Sequence, residues 1–181
     1  MTTTHITIYW DLETCPPIQS PNGHYISDCV VREAIKGICV KPTGRILKHI
    51  VSWRSPDIDH IHVSYGDHYR EPLVIPDNSK YVFFNSYVCQ SITDGKTELV
   101  VITGDENLLQ IIRSLESLTL LDSWGQLSII YGYYVDIRSF GFSSKVKTLK
   151  FNQILEFCNN YCEYSSEALI SLMDDLTITG I

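Results

Sequence analysis

The chain has 181 residues, of which 44% are hydrophobic and 19% charged, with a formal net charge of −7. That length suits one domain able to bury a core without disulfides or a structural metal, and only 10 Gly and 7 Pro exclude a collagen-like or low-complexity chain. The acid excess argues against a broad electrostatic nucleic-acid binder, and no apolar run approaches the roughly 20 residues of a membrane-spanning helix.

Ile6 to Trp10 are β-branched or aromatic, and Asp11 ends the run. That predicts a buried strand delivering a carboxylate at its C-terminal end. A Pro-rich loop follows. Ser27 and Asp28 then open a helix whose apolar positions are Val30, Val31, Ala34, Ile35, Ile38 and Cys39. Pro42 and Gly44 break it. Residues 45–53, RILKHIVSW, fit either a helix or a strand.

HIHVSY, residues 60–65, alternates and predicts a second strand ending in Gly66-Asp67. Tyr81 to Phe84 is a short apolar run, expected as a third strand. LVVIT, residues 99–103, is the clearest buried strand, and Gly104-Asp105 follows it into a helix carrying Leu108, Leu109, Ile112 and Leu115. LSIIY, residues 127–131, is the next strand. Residues 151–162 look helical, and 165–175 suit one more helix.

Strands alternating with amphipathic helices predict an α/β fold with a mainly parallel sheet and helices on both faces. The domain is expected over residues 1–162, with 163–181 as a helical extension or tail. The opening MTTTHITIYWDLE has no basic n-region and carries an acid in its apolar stretch, so it does not read as a signal peptide. Without one, Cys15, Cys29, Cys39, Cys89, Cys158 and Cys162 are expected as reduced thiols of an intracellular protein, cytoplasmic rather than nuclear. Cys158 and Cys162, four apart with no His nearby, are expected to be structural and not zinc ligands.

Three strands end in acids: Asp11 with Glu13, then Asp67, then Asp105. If these strands are parallel neighbours, the carboxylates converge at one sheet edge. Such a cluster calls for a hard cation, Mg²⁺ or Mn²⁺, and the chemistry this supports is phosphodiester hydrolysis. Each acid has a structural alternative as a turn former or helix cap, Asp105 especially. His68 and Arg70, next to Asp67, suit a phosphate contact or a solvated loop. Lys145, Lys147 and Lys150 are the one local basic cluster and suit RNA backbone contacts. The aromatic YGYY stretch around Tyr133 and Tyr134 fits base stacking, core or a partner surface.

These segments resemble a known family. YWDLETCPP is similar to the opening motif of NYN domains, and ISDCVVREAI to the helix after it. HVSYGDHYREPL resembles the family's second strand and loop, and LVVITGDENLLQIIRSL its S-G-D-x-D-F segment and helix. The resemblance runs from residue 5 to about 135, nearest to the subset that includes the limkain-type meiosis regulator and its plant relatives. It implies a PIN-like three-layer α/β/α sandwich and a metal-dependent endoribonuclease acting on single-stranded RNA, with a protein partner or homodimer as a further possibility and no membrane role. By carry-over Asp11, Asp67 and Asp105 hold metal, Glu13 supports the first, and Asn107 stands where many members have a second acid. Thr14 replaces the family's Asn. The middle carboxylate is missing: only residues 85–98 are left for the helix that supplies it, with Asn85 as a substitute ligand and Asp94 in a DG turn as a distant one. The alternative is a catalytically degenerate NYN domain that binds RNA or protein. DLET also resembles the first motif of proofreading-type DEDD exonucleases, whose later motifs fit this element order poorly.

Overall fold

A computed structural model of the chain describes residues 5–16, 28–39, 44–57, 72–93, 97–117 and 127–161. Its elements, in chain order, are β1 (His5–Asp11), α1 (Asp28–Cys39), β2 (Ile46–Arg54), β3 (Leu73–Val74), α2 (Lys80–Thr93), β4 (Thr97–Thr103), α3 (Glu106–Ser117), β5 (Leu127–Tyr131), β6 (Lys147–Lys150) and α4 (Phe151–Tyr161). Short 3₁₀ turns at Asp77–Ser79 and Ile137–Phe140 lead into α2 and follow β5.

The six strands form one sheet in the order β3-β2-β1-β4-β5-β6, and every pairing is parallel. The fold is therefore α/β with helices on both faces, as the alternation of apolar strands and amphipathic helices predicts. The period-two geometry of β1 sends Ile6, Ile8 and Trp10 to one face. There they pack with Val31, Ala34 and Ile35 of α1 and with Phe151, Ile154 and Leu155 of α4. Tyr9 points to the other face, among Phe84 of α2 and Leu108, Leu109 and Ile112 of α3. Val100 and Ile102 of β4 join the first core, Leu99 and Val101 the second. Strands covered on both sides read as unbroken apolar runs for this reason.

Residues 46–54, compatible with helix or strand by pattern, are a strand, and β2 pairs along most of its length with β1. Residues 81–84, expected as a strand, belong to a helix. Short aromatic runs do not distinguish the two states, and tertiary packing decides. Helical spacing brings Phe83 and Tyr87 together at 4.7 Å between ring centroids and turns both Phe83 and Phe84 against Trp53. The helix takes residues 80–93, so it begins before the segment 85–98 that the motif reading left for it. β3 and β6, two and four residues long, carry no periodicity that marks them in the sequence. The expected strand at 60–65 and helix at 165–175 lie outside the described residues. Among the described residues no helix is long and apolar enough to cross a membrane.

Candidate functional site

Chain order and strand order together select one edge position. From β1 the sheet grows through β2 and β3 on one side and through β4, β5 and β6 on the other. The winding reverses between β1 and β4. In open parallel sheets the crevice at the carboxyl ends of such a strand pair is where ligands bind. Asp11 is the last residue of β1, and Thr103-Gly104-Asp105 leads out of β4.

Asp11 is fully buried. Its Oδ1 accepts the Glu13 backbone N–H at 3.1 Å. Its Oδ2 accepts the Thr14 hydroxyl at 2.6 Å and the Thr103 hydroxyl at 2.9 Å. The two threonines also bind the opposite loop: Gly104 N–H donates to Thr14 Oγ1 at 2.7 Å, and Asp105 N–H donates to Thr103 Oγ1 at 3.0 Å. Thr14 thus ties the β1 loop to the β4 loop. Burial pushes the Asp11 carboxyl above its ordinary value; the hydrogen bonds from Thr14 and Thr103, the Lys80 charge and the Glu13 N–H oppose this without cancelling it.

Asp105 has two roles at once. Oδ1 accepts the N–H groups of Asn107 at 2.9 Å and Leu108 at 3.3 Å, capping α3. Oδ2 is paired with Lys80 Nζ at 2.6 Å. Lys80 Nζ is also 4.0 Å from Glu13 Oε2. Glu13 is raised as well, by burial first, and by the charges of Asp11, Asp77 and Asp105 against that of Lys80. Tyr81 OH lies 3.5 Å from Asp105 Oδ2 and accepts Asn107 Nδ2–H at 3.0 Å. Asn107 therefore positions Tyr81 at the rim of the site.

Lys80 is the functional residue that pattern reading misses. It sits at the first position of α2, where the Pro76-Asp77-Asn78-Ser79 turn delivers it to the sheet edge. The only sequence signal is that turn, which starts a helix when given the right tertiary support. Asn85, the expected substitute ligand, is five residues along α2, about 7.5 Å further and roughly 140° round the axis, and it is exposed. Asp67, His68, Arg70 and Asp94 lie outside the described residues.

The loop after β5 borders the same edge. Gly132 N–H donates to Thr103 O at 3.2 Å. A Cβ on Gly132 would stand 2.9 Å from Gly104 Cα, so only glycine lets these backbones approach. Tyr133 and Tyr134 follow, with centroids 5.0 Å apart and planes at 85°; Tyr134 is 92% exposed. They are not core residues. Lys150 Nζ lies 5.4 Å from the centre of the Tyr133 ring. Lys145 precedes β6 and is exposed. Lys147 pairs with Ser128, three positions before the Tyr131–Lys150 pair, so it is about 10 Å nearer the opposite sheet edge. Of the three lysines, the register brings Lys150 to the edge that carries the acids.

Cys15 is buried beside the site, and burial followed by the Asp11 charge pushes its thiol up. The thiol of Cys39 is pushed up to about 12 by burial. Neither is a thiolate nucleophile at neutral pH. Cys158 is a buried core residue. Trp10 and Trp53 are core residues too, each 1% exposed.

All donors at the edge are oxygens, the set that suits a hard divalent cation, and three carboxylates face one ammonium. The arrangement has one conflict with such an ion: Lys80 already holds Asp105 Oδ2. Among the described residues no three His, Cys, Asp or Glu side chains are grouped to hold a metal ion.

Comparison with family models, curated proteins and solved structures finds no match. The likeness to NYN domains rests on the motifs alone.

Proposed function

We propose that this chain is a divalent-metal-dependent endoribonuclease acting on single-stranded RNA. One observation carries the reading: Asp11 and Asp105, 94 positions apart in the chain, meet at the switch point of a parallel sheet, joined through Thr103. Glu13 stands on the same edge, within 4.0 Å of the Lys80 ammonium that Asp105 also binds. The motif resemblance adds Asp67 to this set. Asp11 and Asp105, with Asp67 by the motif resemblance and Glu13 in support, would hold Mg²⁺ or Mn²⁺, with Asp105 offering Oδ2 once Lys80 releases it. The ion, when bound, supplies a Lewis acid for a phosphoryl oxygen and a more acidic water.

Charge supports a cation as part of the function. Even with Lys80 in place the described edge carries more carboxylate than ammonium, and a bare phosphate is repelled there. RNA approaches this edge when a further cation is present. Thr14 and Thr103 hold the Asp11 carboxylate in one orientation, and Tyr81 with Asn107 does the same on the Asp105 side. Tyr133 and Tyr134, beside the site, offer aromatic faces to unpaired bases, and Lys150 offers a charge to the backbone.

A second reading, the degenerate domain that binds without cutting, is favoured by the Lys80–Asp105 pair, because an internal ammonium already compensates part of the acid charge. Incubating the intact chain with labelled single-stranded RNA and Mn²⁺ separates the two. Cleavage abolished by EDTA and by Asp105→Asn supports the nuclease. RNA left intact at high protein concentration supports the binding module.

A further inference from the structure

We infer that the turn after β5 is a wedge that receives two consecutive bases of a single strand on tyrosine rings set at right angles, and that the strand it takes is therefore weakly stacked, uridine-rich RNA. The inference rests on the reading of this chain as a protein that acts on single-stranded RNA, and it names the substrate class for that reading. Its basis is the Tyr133–Tyr134 pair, with ring centroids 5.0 Å apart and planes at 85°, the two residues being 58% and 92% exposed.

Both ends of this turn are fixed. Gly132 donates its N–H to Thr103 O and meets the backbone of Gly104 at close range. Val135 N–H closes the turn on Gly132 O at 3.2 Å, and the Val135 side chain is buried in the second core. Asp136, next along, accepts the Arg138 N–H and opens a 3₁₀ turn. Tyr133 and Tyr134 are the two residues between these anchors. Adjacent aromatic rings held in water by a fixed turn mark a contact surface, since packing does not require them there.

Charge and position favour a nucleic-acid strand as the occupant. Lys150 Nζ stands 5.4 Å from the centre of the Tyr133 ring, beside any base stacked there and within reach of its phosphate. The Gly132–Thr103 bond sets the turn against the edge that carries the acids. The angle between the rings then selects the strand. Consecutive bases of a helical strand are nearly parallel. Bases seated one on each tyrosine are nearly perpendicular, so the step between them is unstacked. A phenol ring is about the size of a pyrimidine and gains little more from a purine than from a uracil. The cost differs more: an adenosine step gives up a large ring overlap, a uridine step very little. The balance favours uridine, and it excludes a duplex, whose bases are stacked and paired.

The test is fluorescence anisotropy of the intact chain with labelled uridine and adenosine strands of about 12 nucleotides, within the usual single-strand site size. It is run in EDTA, and again in Mg²⁺ with each strand checked for integrity on a gel. Wild type, Tyr133→Ala and Tyr134→Ala are compared, with circular dichroism as the check on folding. Wild type is expected to bind the uridine strand about tenfold tighter than the adenosine strand. Either variant is expected to weaken uridine binding and bring the two affinities within about twofold, because one ring alone imposes no kink. Equal or tighter binding of the adenosine strand by wild type overturns the inference and leaves the RNA reading standing, as does a uridine preference that survives both variants. No binding of either strand in either buffer overturns the RNA reading and this inference together. Self-association in sedimentation that Tyr134→Ala abolishes, with RNA affinities unchanged by the variants, makes the turn a protein contact and also overturns the inference.

Discussion

Thr103 Oγ1 lies 2.9 Å from Asp11 Oδ2 and gives it a hydrogen bond, while the same oxygen accepts the N–H of Asp105 at 3.0 Å. One hydroxyl therefore joins the acid that ends β1 to the acid that follows β4. Thr103→Val keeps the shape and removes both bonds, leaving a buried carboxylate and a backbone N–H without that partner. The expected loss of stability is about 1–3 kcal/mol. Urea denaturation should show a lower midpoint with unchanged slope, and RNA cleavage should fall as Asp105 loosens.

Burial of the Asp11 carboxyl leads us to expect a neutral-pH protein less stable than one with an uncharged group there. Its carboxyl is raised in the folded state by burial, so the folded chain holds that proton more tightly than the unfolded chain. The acid's contribution to stability is therefore largest below its unfolded value and falls as pH rises through the folded value. Asp11→Asn removes the charge and keeps an oxygen for Glu13 N–H. The variant should melt higher than wild type near pH 7, with the difference shrinking as pH falls through the raised folded value and gone below about pH 4. A stabilisation on the order of 1 kcal/mol corresponds to about 2–4 °C. The same variant should show no RNA cleavage. A melting point equal to wild type at both pH values would count against a strained carboxylate.

Gly132 meets Gly104 across the β4–β5 edge, and the Cβ of an alanine there would sit 2.9 Å from Gly104 Cα. Backbone has to move. Gly132→Ala should cost about 1–3 kcal/mol and displace the Thr103-Gly104-Asp105 turn. Alanine at Gly141 meets open space but takes a positive φ of 65°, so its cost comes from backbone strain alone. Comparing the two by thermal denaturation and cleavage rate separates strain from site distortion: Gly132→Ala should lower both, Gly141→Ala only the melting point.

Tyr134 is almost fully exposed and contributes little to the core. Tyr134→Ala should leave the melting point within about 1 °C and weaken single-stranded RNA binding by roughly 1–3 kcal/mol, as the loss of one stacked base does. Fluorescence anisotropy with a labelled oligonucleotide reads this. Unchanged affinity would move the RNA path away from the β5 loop.

Lys150 and Lys147 give a paired contrast. The register sets them three positions apart along β6, with Lys150 at the acidic edge and Lys147 towards the opposite one. Lys150→Gln should weaken RNA binding and reduce its salt dependence, whereas Lys147→Gln should change neither. Equal effects would mean that RNA runs along β6 and not across the strand ends.

What the sequence by itself determined is the set of strong local patterns. Ile6 to Trp10, Leu99 to Thr103 and Leu127 to Tyr131 are unbroken apolar runs because both faces of their strands are covered. The helices 28–39, 106–117 and 151–161 announce themselves by their apolar stripes. The acids Asp11 and Asp105 were legible too, since Asp11 directly follows such a run and Asp105 stands one residue beyond another. What only the tertiary structure decided is who stands next to whom. The parallel pairing of β1 with β4 joins residues some 92 positions apart, and no local pattern encodes a neighbour at that distance. The helical state of residues 80–93 depends on Phe83 and Phe84 finding Trp53, and the ammonium that closes the acidic edge comes with that helix. Periodicity reports how a segment meets its nearest layer; the position of Lys80 against Asp105 is set by how three layers pack together.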